Sequence, residues 1–301
     1  MVKKILKWLG VLVVLVLVVG GSFVACQVMA YDKSVSKVYD IPPPKLERST
    51  DPAVIARGKH LAESVAGCGI KDCHGGDLSA GRTIDVGPVA TFAASNITPA
   101  GRVAQYSDGE LARLILHGIK KDGHPVQFMP IQEFNWLPDD DVIAIISYVR
   151  SVPPVDKSTQ DTHVKWFGKV LDRLDKFPLD VARRVDHEHR PTVPSPAPTA
   201  AYGSFVGRLC LGCHGEHLSG GPIPGAPPSI PIPKNITPHE TGIKDYTFED
   251  FNKLLETGIR KNGQKLDPFM PYEALAKMDE TERRALWTYL RSVEPRPFGG
   301  R

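Results

Sequence analysis

The second half of this chain repeats a series of short motifs from the first half at a nearly constant distance. The spacing stays between 139 and 141 positions throughout. The matched pairs are Leu78-Ser79 and Leu218-Ser219, Asn96-Ile97-Thr98-Pro99 and Asn235-Ile236-Thr237-Pro238, Tyr106 and Tyr246, Gly118-Ile119 and Gly258-Ile259, Phe128-Met129-Pro130 and Phe269-Met270-Pro271, and Tyr148 and Tyr289. A register held over about 80 residues is typical of a duplicated domain, so we expect the same fold to occur twice.

Two cysteines and a histidine give the second half its chemistry. Cys210, Cys213 and His214 form the pattern Cys-x-x-Cys-His, which is typical of covalent attachment of a c-type haem. The two thiols add to the vinyl groups of one porphyrin, and the adjacent histidine supplies the proximal nitrogen to the iron. A zinc site would need a second ligand pair, and a thioredoxin-like redox pair would lie in a βαβ context, which is missing. We therefore expect a haem here.

The first half carries a wider version of the same motif. Four residues separate Cys68 from Cys73, and His74 follows directly. Alone, this spacing is a weak signal, but His74 and His214 lie 140 positions apart, within the register of the repeat. The sequence therefore predicts a second covalent haem on a stretched loop. Four of the five cysteines go to haem, so no disulfide framework is expected.

Each half also offers a sixth ligand for the iron. Met129 and Met270 stand in matching Phe-Met-Pro triplets, 55 and 56 residues after their Cys-His pairs. A thioether opposite a histidine stabilises the ferrous state and raises the reduction potential. Two alternatives stay open: the methionines fill gaps in the core, or His124 replaces Met129 at the first haem. His117 is the other nearby histidine, but it lies in a helical pattern.

The first 30 residues predict a membrane segment. From Ile5 to Met29 the chain has a mostly apolar run of 25 residues, and as a helix this run spans roughly 37 Å, enough to cross a bilayer. Three lysines within the first seven residues favour a cytoplasmic N-terminus, which exports the rest of the chain. Three fates stay open: a retained anchor, a signal cleaved near Ala30, or a lipoprotein signal acylated at Cys26.

Composition and periodicity divide the chain further, and we expect an all-α fold. The expected divisions are a transmembrane anchor or signal at 1–30, a Pro-rich spacer at 31–50 that holds the body off the membrane, a first haem domain at 51–154, a bridging helix and linker at 155–199, and a second haem domain at 200–301. Capping boxes are predicted at Ser107 and Thr247, before helices that recur in both halves. In the bridge, His187 and His189 are expected in solvent.

Charge excludes one class of partner. The formal net charge is +3, and the three lysines of the first 30 residues account for all of it. Because no basic stripe is visible in the body, nucleic acid binding has no support.

The motifs of the second half resemble those of the cytochrome c subunits of membrane-bound alcohol, gluconate and sorbitol dehydrogenases. The residues that carry the resemblance are Asn235-Ile236-Thr237-Pro238, Gly242-Ile243, Tyr246-Thr247, Phe251, Gly258, Gly263, Phe269-Met270-Pro271-Tyr272 and Tyr289-Leu290. The resemblance implies tandem class I cytochrome c domains that accept electrons from a dehydrogenase subunit and pass them to quinone or a terminal oxidase. This chain departs from those subunits in having two haem sites instead of the usual three, a wide first loop and an N-terminal anchor.

Two functions follow as expectations. The first is electron transfer by two six-coordinate haems in a protein of the bacterial inner membrane, with both haem domains in the periplasm. The second is a dihaem redox enzyme, of the peroxidase or thiosulfate dehydrogenase type, with an open or labile site at the first haem. In either case, Asn96, Thr98, Asn235 and Thr237 are candidates to bond the haem propionates or to hold the loop beside them; a plain turn is the alternative.

Overall fold

The computed structural model describes residues 1–228 and 230–301. The elements are α1 (Val2–Val35), α2 (Pro52–Glu63), β1 (Ile84–Val86), β2 (Ala90–Phe92), α3 (Asp108–His117), α4 (Ile131–Phe134), α5 (Asp139–Ser151), β3 (His163–Val164), α6 (Trp166–Arg173), α7 (Ala200–Val206), α8 (Arg208–His214), α9 (Phe248–Thr257), α10 (Tyr272–Leu275) and α11 (Glu280–Ser292). Short 3₁₀ turns lie at Arg102–Gln105 and Ala182–Arg184. The chain is therefore rich in helix, as expected.

A pair of crossed helices frames each half. In the first half α2 packs on α5, and in the second half α7 packs on α11. The crossings rest on matching glycines: a side-chain carbon at Gly58 would collide with the carbonyl of Ala144, and one at Gly203 would collide with the carbonyl of Ala285. Glycine is required at both crossings because the two backbones approach so closely. The two halves thus share their helix framework as well as their motifs.

A capped helix follows the same plan in each half. The side chain of Ser107 accepts a hydrogen bond from the Glu110 backbone at the start of α3, and Thr247 does the same with Asp250 at the start of α9. Both helices end at a glycine in the left-handed conformation. The two predicted capping boxes are confirmed.

The two halves pack against each other through one continuous apolar core. Polar contacts cross the same boundary: His60 on α2 bonds both carboxylate oxygens of Glu282 on α11 at 2.9 Å. On the other side, the guanidinium of Arg208 stacks on the Trp136 ring at 4.1 Å. The halves are therefore held in one arrangement rather than joined by the linker alone.

A small sheet makes the expectation of an all-α fold wrong in detail. The hairpin of β1 and β2 lies in the loop that follows the first Cys-His pair, and β3 adds to it as the third antiparallel strand. With α6 and Tyr31 it encloses a second, smaller apolar core. Strands of two or three residues show no alternating pattern in the sequence, and their pairing depends on a partner about 70 positions away.

The segment between α1 and α2 also differs from the expected spacer. Helix α1 continues to Val35, and the residues after it lie against the first domain. The Tyr39 amide bonds to the Gly123 carbonyl at 2.9 Å, and Arg113 donates to the Ile41 carbonyl at 2.9 Å. The prolines at positions 42–44 stiffen this segment, and its hydrogen bonds hold it to the body.

One histidine of the bridge is not in solvent. His187 lies half-buried with its Nδ1 3.2 Å from Nδ1 of His117 at the end of α3. Burial lowers the pKa of both, that of His117 to about 4, so both rings are neutral and share one proton in this contact. His189, by contrast, is exposed as expected.

Candidate functional site

The second Cys-His motif lies on a regular helix. Cys210, Cys213 and His214 belong to α8, where residues three positions apart lie on the same face. The helix ends at Gly215, whose positive φ of 84° turns the chain sharply after the histidine. Two thiols on one face, with a histidine beside them, match the geometry that attachment to one porphyrin needs.

The first motif replaces this helix with a chain of turns. The Cys73 amide bonds to the Ile70 carbonyl at 2.9 Å, and the His74 amide bonds to the Cys68 carbonyl at 3.0 Å. An ion pair between Asp72 and Arg82, at 2.8 Å, braces the outside of the loop. The two extra residues break the helical spacing, and the turns return His74 to the start of the loop beside Cys68.

Both histidines are oriented by the same kind of contact. Nδ1 of His74 lies 2.7 Å from the Ser95 carbonyl, and Nδ1 of His214 lies 2.6 Å from the Lys234 carbonyl. A carbonyl accepts only from a protonated nitrogen, so Nδ1 carries the hydrogen in both rings and Nε2 keeps its lone pair. Metal-binding histidines are held in this way by outer-shell carbonyls.

Burial sets the protonation of all six motif side chains. It lowers the pKa of His74 and His214 below the usual 6.5, which keeps both rings neutral. It raises the pKa of the thiols, to about 12 for Cys68 and Cys210.

Each methionine of the Phe-Met-Pro triplets lies in the same tight turn. The Met129 carbonyl accepts from the Ile131 amide at 2.8 Å, and the Met270 carbonyl accepts from the Tyr272 amide at 2.8 Å. The prolines between them have φ near −78° and ψ of 66° and 50°, the geometry of an inverse γ-turn. A short helix then leads away, α4 in the first half and α10 in the second.

An apolar cavity lies between the motif and the methionine of the first half. It contains about 940 Å³ of space free of protein atoms, open solvent at its mouth included. Cys68, His74 and Met129 line it, together with apolar side chains of α3 and α5. His124 and His117 do not line it: His124 lies 3.4 Å from the Asp122 carboxylate, and His117 faces the bridge. Met129 is thus the better placed of the alternatives.

The asparagines and threonines of the repeated Asn-Ile-Thr-Pro motif bond within the chain. Asn96 accepts from the Thr98 amide at 2.9 Å and donates to the Val155 carbonyl at 2.8 Å; Asn235 accepts from the Thr237 amide at 2.9 Å and donates to the Arg296 carbonyl at 2.7 Å. These bonds close each domain on its own C-terminal segment. The loop-holding role, one of the two roles expected, agrees with these contacts.

Two arginines beside the second motif were not expected from the sequence. Arg301 donates to the carbonyl of Cys213 at 2.7 Å, and Arg208, two residues before Cys210, donates to the carbonyl of Gln132 in the other half. Neither residue belongs to a repeated motif. The only sequence feature that could have pointed to either arginine is that Arg208 lies two residues before Cys210.

The donor set fits a c-type haem in both halves. Each half offers two neutral thiols, a histidine with a free Nε2 and a partly buried methionine, and the first half shows an apolar cavity between them. Such a group is large and apolar apart from its propionates, which agrees with the apolar lining.

Comparisons with known proteins agree with this chemistry. The family model of cytochrome c matches residues 201–294. The chain is 35% identical to the fructose dehydrogenase cytochrome subunit of Gluconobacter japonicus over 34% of its length, and 39% identical to the cytochrome c subunit of the quinone alcohol dehydrogenase of Gluconobacter oxydans over 31%. One subunit of the nicotinate dehydrogenase of Pseudomonas putida is 25% identical over 81% of the chain.

These matches cover only part of each protein. The chain spans about a fifth of the length of the curated relatives it matches. The family match covers nearly all of α7 and the whole of α8 to α11. It therefore includes the Cys-His motif at Cys210, Cys213 and His214 as well as Met270. Residues 201–294 are therefore a cytochrome c domain, and the chain is similar to the cytochrome c subunits of fructose, alcohol and gluconate dehydrogenases.

Proposed function

We propose that this chain is a membrane-anchored dihaem c-type cytochrome that transfers electrons in a respiratory or dehydrogenase-linked chain. The observation that carries the proposal is the match between the halves. Each has a histidine held through Nδ1 by a carbonyl about 20 positions later, and a methionine in an inverse γ-turn. The first half, residues 51–154, thus has the same framework as the cytochrome c domain.

The residues of the chain take defined roles in this proposal. Thioether bonds from Cys68 and Cys73, and from Cys210 and Cys213, hold one haem in each domain. When bound, each haem supplies an iron that takes up and releases one electron. Nε2 of the motif histidine and the methionine sulfur would hold the iron in each half, a ligand pair that would favour the ferrous state and leave no open position for a substrate.

The packing between the halves supports electron transfer from one haem to the other. The two attachment loops are neighbours: a side-chain carbon at Gly67 would lie 3.5 Å from the side chain of Leu209. Burial, with smaller contributions from Asp72 and from the nearby Cys213 of the other loop, raises the pKa of Cys73 to about 11. Electrons that pass between the two attachment loops through packed protein need no motion of either domain.

A retained anchor is the fate of the N-terminus that we propose. Helix α1 is long and apolar enough to cross a membrane, and its apolar window is exposed. Tyr31, only 1% exposed, packs the last turns of α1 on the body, so a retained anchor continues directly into a docked helix. With the lysines inside, the anchor lies in the bacterial inner membrane and the haem domains face the periplasm.

The relatives suggest the class of partner. They are named as subunits of fructose, alcohol and gluconate dehydrogenases, so we propose a dehydrogenase subunit as electron donor and a quinone-linked complex or terminal oxidase as acceptor.

The experiment is a spectroscopic redox titration of the full chain in lipid nanodiscs. Two low-spin haems per chain, both with spectra typical of methionine ligation, are expected. A high-spin first haem that binds added carbon monoxide would contradict pure electron transfer and favour the dihaem enzyme. A single haem per chain would contradict the dihaem proposal.

A further inference from the structure

The end of the apolar run in α1 is marked by a change in exposure. Every side chain from position 1 to position 23 is exposed, whereas Val24, Val28, Tyr31 and Val35 are partly or fully buried. These residues recur at intervals of three and four, so one stripe of the helix packs on protein from Val24 onwards. If the anchor crosses the bilayer, as proposed above, the helix leaves the hydrocarbon close to Val24.

The stripe packs on the bridge between the haem domains. Tyr31 lies in the smaller apolar core with residues of the sheet and α6. Lys169 on α6 bonds the Asp32 carboxylate at 2.6 Å, and the Ser34 hydroxyl donates to Asp180 at 2.5 Å. Together with the buried Tyr31, these polar contacts fix α6 against the end of α1.

The contacts also give the direction of α6. Lys169 on α6 bonds to Asp32 on α1. Three residues later on α6, Asp172 accepts from the Asp180 amide, and the Asp180 carboxylate accepts from Ser34 on α1. The contacts run in the same order along both helices, so the first turn of α6 points back along α1 towards the membrane. Trp166, one turn before Lys169, lies about 4.5 Å nearer to the membrane than that contact.

Trp166 has the exposure and the chemistry of a membrane-interface residue. Its side chain is 54% exposed, a higher value than those of Phe128 and Phe298, which are also exposed. Along the axis of α1, Trp166 lies at about the same height as Met29. Met29 lies about 7.5 Å beyond Val24, at a rise of 1.5 Å per residue. The headgroup layer on each side of a bilayer has a similar thickness, and tryptophan is enriched there because its ring is apolar and its N–H is polar.

From this placement we infer that Trp166 and the first turn of α6 lie in the lipid headgroup layer, so that the bridge is a membrane-surface element beside the anchor. The inference rests on the proposed retention of the anchor. The occupant of this surface is phospholipid, since the anchor that passes Trp166 is itself the segment that enters the bilayer.

The bridge connects this surface to the methionine loop of the first domain. The Phe128 amide donates to the Leu179 carbonyl at 3.0 Å, and the Phe128 ring stacks on Phe92 at 3.7 Å and near Phe177 at 5.9 Å. Phe177 and Leu179 follow α6 directly. The lipid contact therefore places the first domain, rather than the second, next to the membrane.

Tryptophan quenching by lipid tests the inference on the full chain with its haems. The protein is placed in phosphatidylcholine nanodiscs, with or without lipids brominated near the top of the acyl chains. The variants Trp166→Phe, Trp8→Phe and Trp287→Phe give, by difference, the fluorescence that each of these three tryptophans contributes. Haem quenches part of all the emission, but it does so equally in both lipids. We expect the Trp166 share to fall about twofold with brominated lipid, as for a residue at the interface, and the Trp287 share to stay constant.

The result for Trp8 distinguishes a failure of this inference from a failure of the proposed membrane anchor. Quenching of Trp8 without quenching of Trp166 would overturn the inference while leaving the anchor in place, and would mean that solvent or a protein partner covers the bridge. If Trp8 is not quenched, the anchor is not in the bilayer, and both the retained anchor and the inference are wrong. A loss of folding in Trp166→Phe would show as a change in the haem spectrum, and Trp166→Tyr then takes its place.

Discussion

In the first half the methionine loop bonds to the bridge through Phe128, whereas among the described contacts Phe269, its counterpart in the second half, bonds within its own loop. Phe128 stacks between Phe92 and Phe177 and donates to Leu179. Phe269, its counterpart, donates its amide to Asp267 of its own loop. The frameworks of the two domains agree, so this difference comes from what the rest of the chain adds around them.

The difference teaches how one framework is adapted to two positions. Phe128 has a φ of 67°, a conformation that costs a non-glycine residue about 1–2 kcal/mol. The stacking on the bridge offsets that cost and holds the Met129 loop against the bridge. For Phe269 the described contacts include no aromatic stacking of this kind, and its amide donates within its own loop.

The largest expected effect tests whether the two frameworks are equivalent. Gly58→Ala and Gly203→Ala place a carbon against the opposite helix, and each is expected to lower the free energy of unfolding by about 2 kcal/mol or more. Denaturant unfolding followed by the absorbance of the haems measures it. Gly76→Ala, at an exposed turn with open space around it, is the control. An effect at Gly203 but none at Gly58 would break the equivalence.

The second prediction separates the two haems by their axial ligands. Met129→Ala and Met270→Ala are each expected to lower the potential of their own haem by a few hundred millivolts, within the span of about 0.8 V that axial ligands cover. The haem stays attached because the cysteines are unchanged. Redox titration measures both potentials, with Met278→Leu, a buried core residue, as control. An unchanged spectrum and potential would remove that methionine as a ligand.

The third prediction sharpens the contrast between the loops. Phe128→Ala removes the stacking that holds the Met129 loop, so the methionine should dissociate more often and carbon monoxide should bind the ferrous first haem about 10-fold faster, which corresponds to about 1.4 kcal/mol. Phe269→Ala should change the rate at the second haem much less. Flash photolysis measures both rates. Equal effects of the two variants would contradict the role given to the bridge.

The smallest effect concerns the contact between the domains. The hydrogen bond to Glu282 raises the pKa of His60 above 6.5, so the charged pair is complete below pH 6.5 and is lost as pH rises through the raised pKa. Stability should therefore fall by about 1 kcal/mol over that range, a modest value because His60 is partly exposed. His60→Gln keeps a donor that does not titrate, and it should abolish this part of the pH dependence of denaturant unfolding.

The sequence predicted the parts of the fold that depend on local residues. The capping boxes at Ser107 and Thr247 follow from neighbours in the chain. The sheet, the contact of His187 with His117 and the packing of residues 39–49 on the first domain depend on partners far away in sequence. Their residues carry no periodic pattern, and so no sequence rule points to them.

The candidate site follows from the sequence because covalent haem attachment needs a fixed spacing of residues. The repeat extended that prediction to the stretched loop at Cys68 and Cys73, whose spacing alone is uninformative. The carbonyls that orient His74 and His214 were not predictable, since a backbone acceptor at Ser95 or Lys234 leaves no signature in the side chain.

The most direct test of the central claim is the mass of the intact chain, compared among three proteins produced with the c-type haem attachment machinery. The account predicts two haems on the native chain, one on the variant with Cys68→Ser and Cys73→Ser, and one on the variant with Cys210→Ser and Cys213→Ser. A native chain with one haem, unaffected by the first pair of substitutions, would contradict a haem domain in the first half.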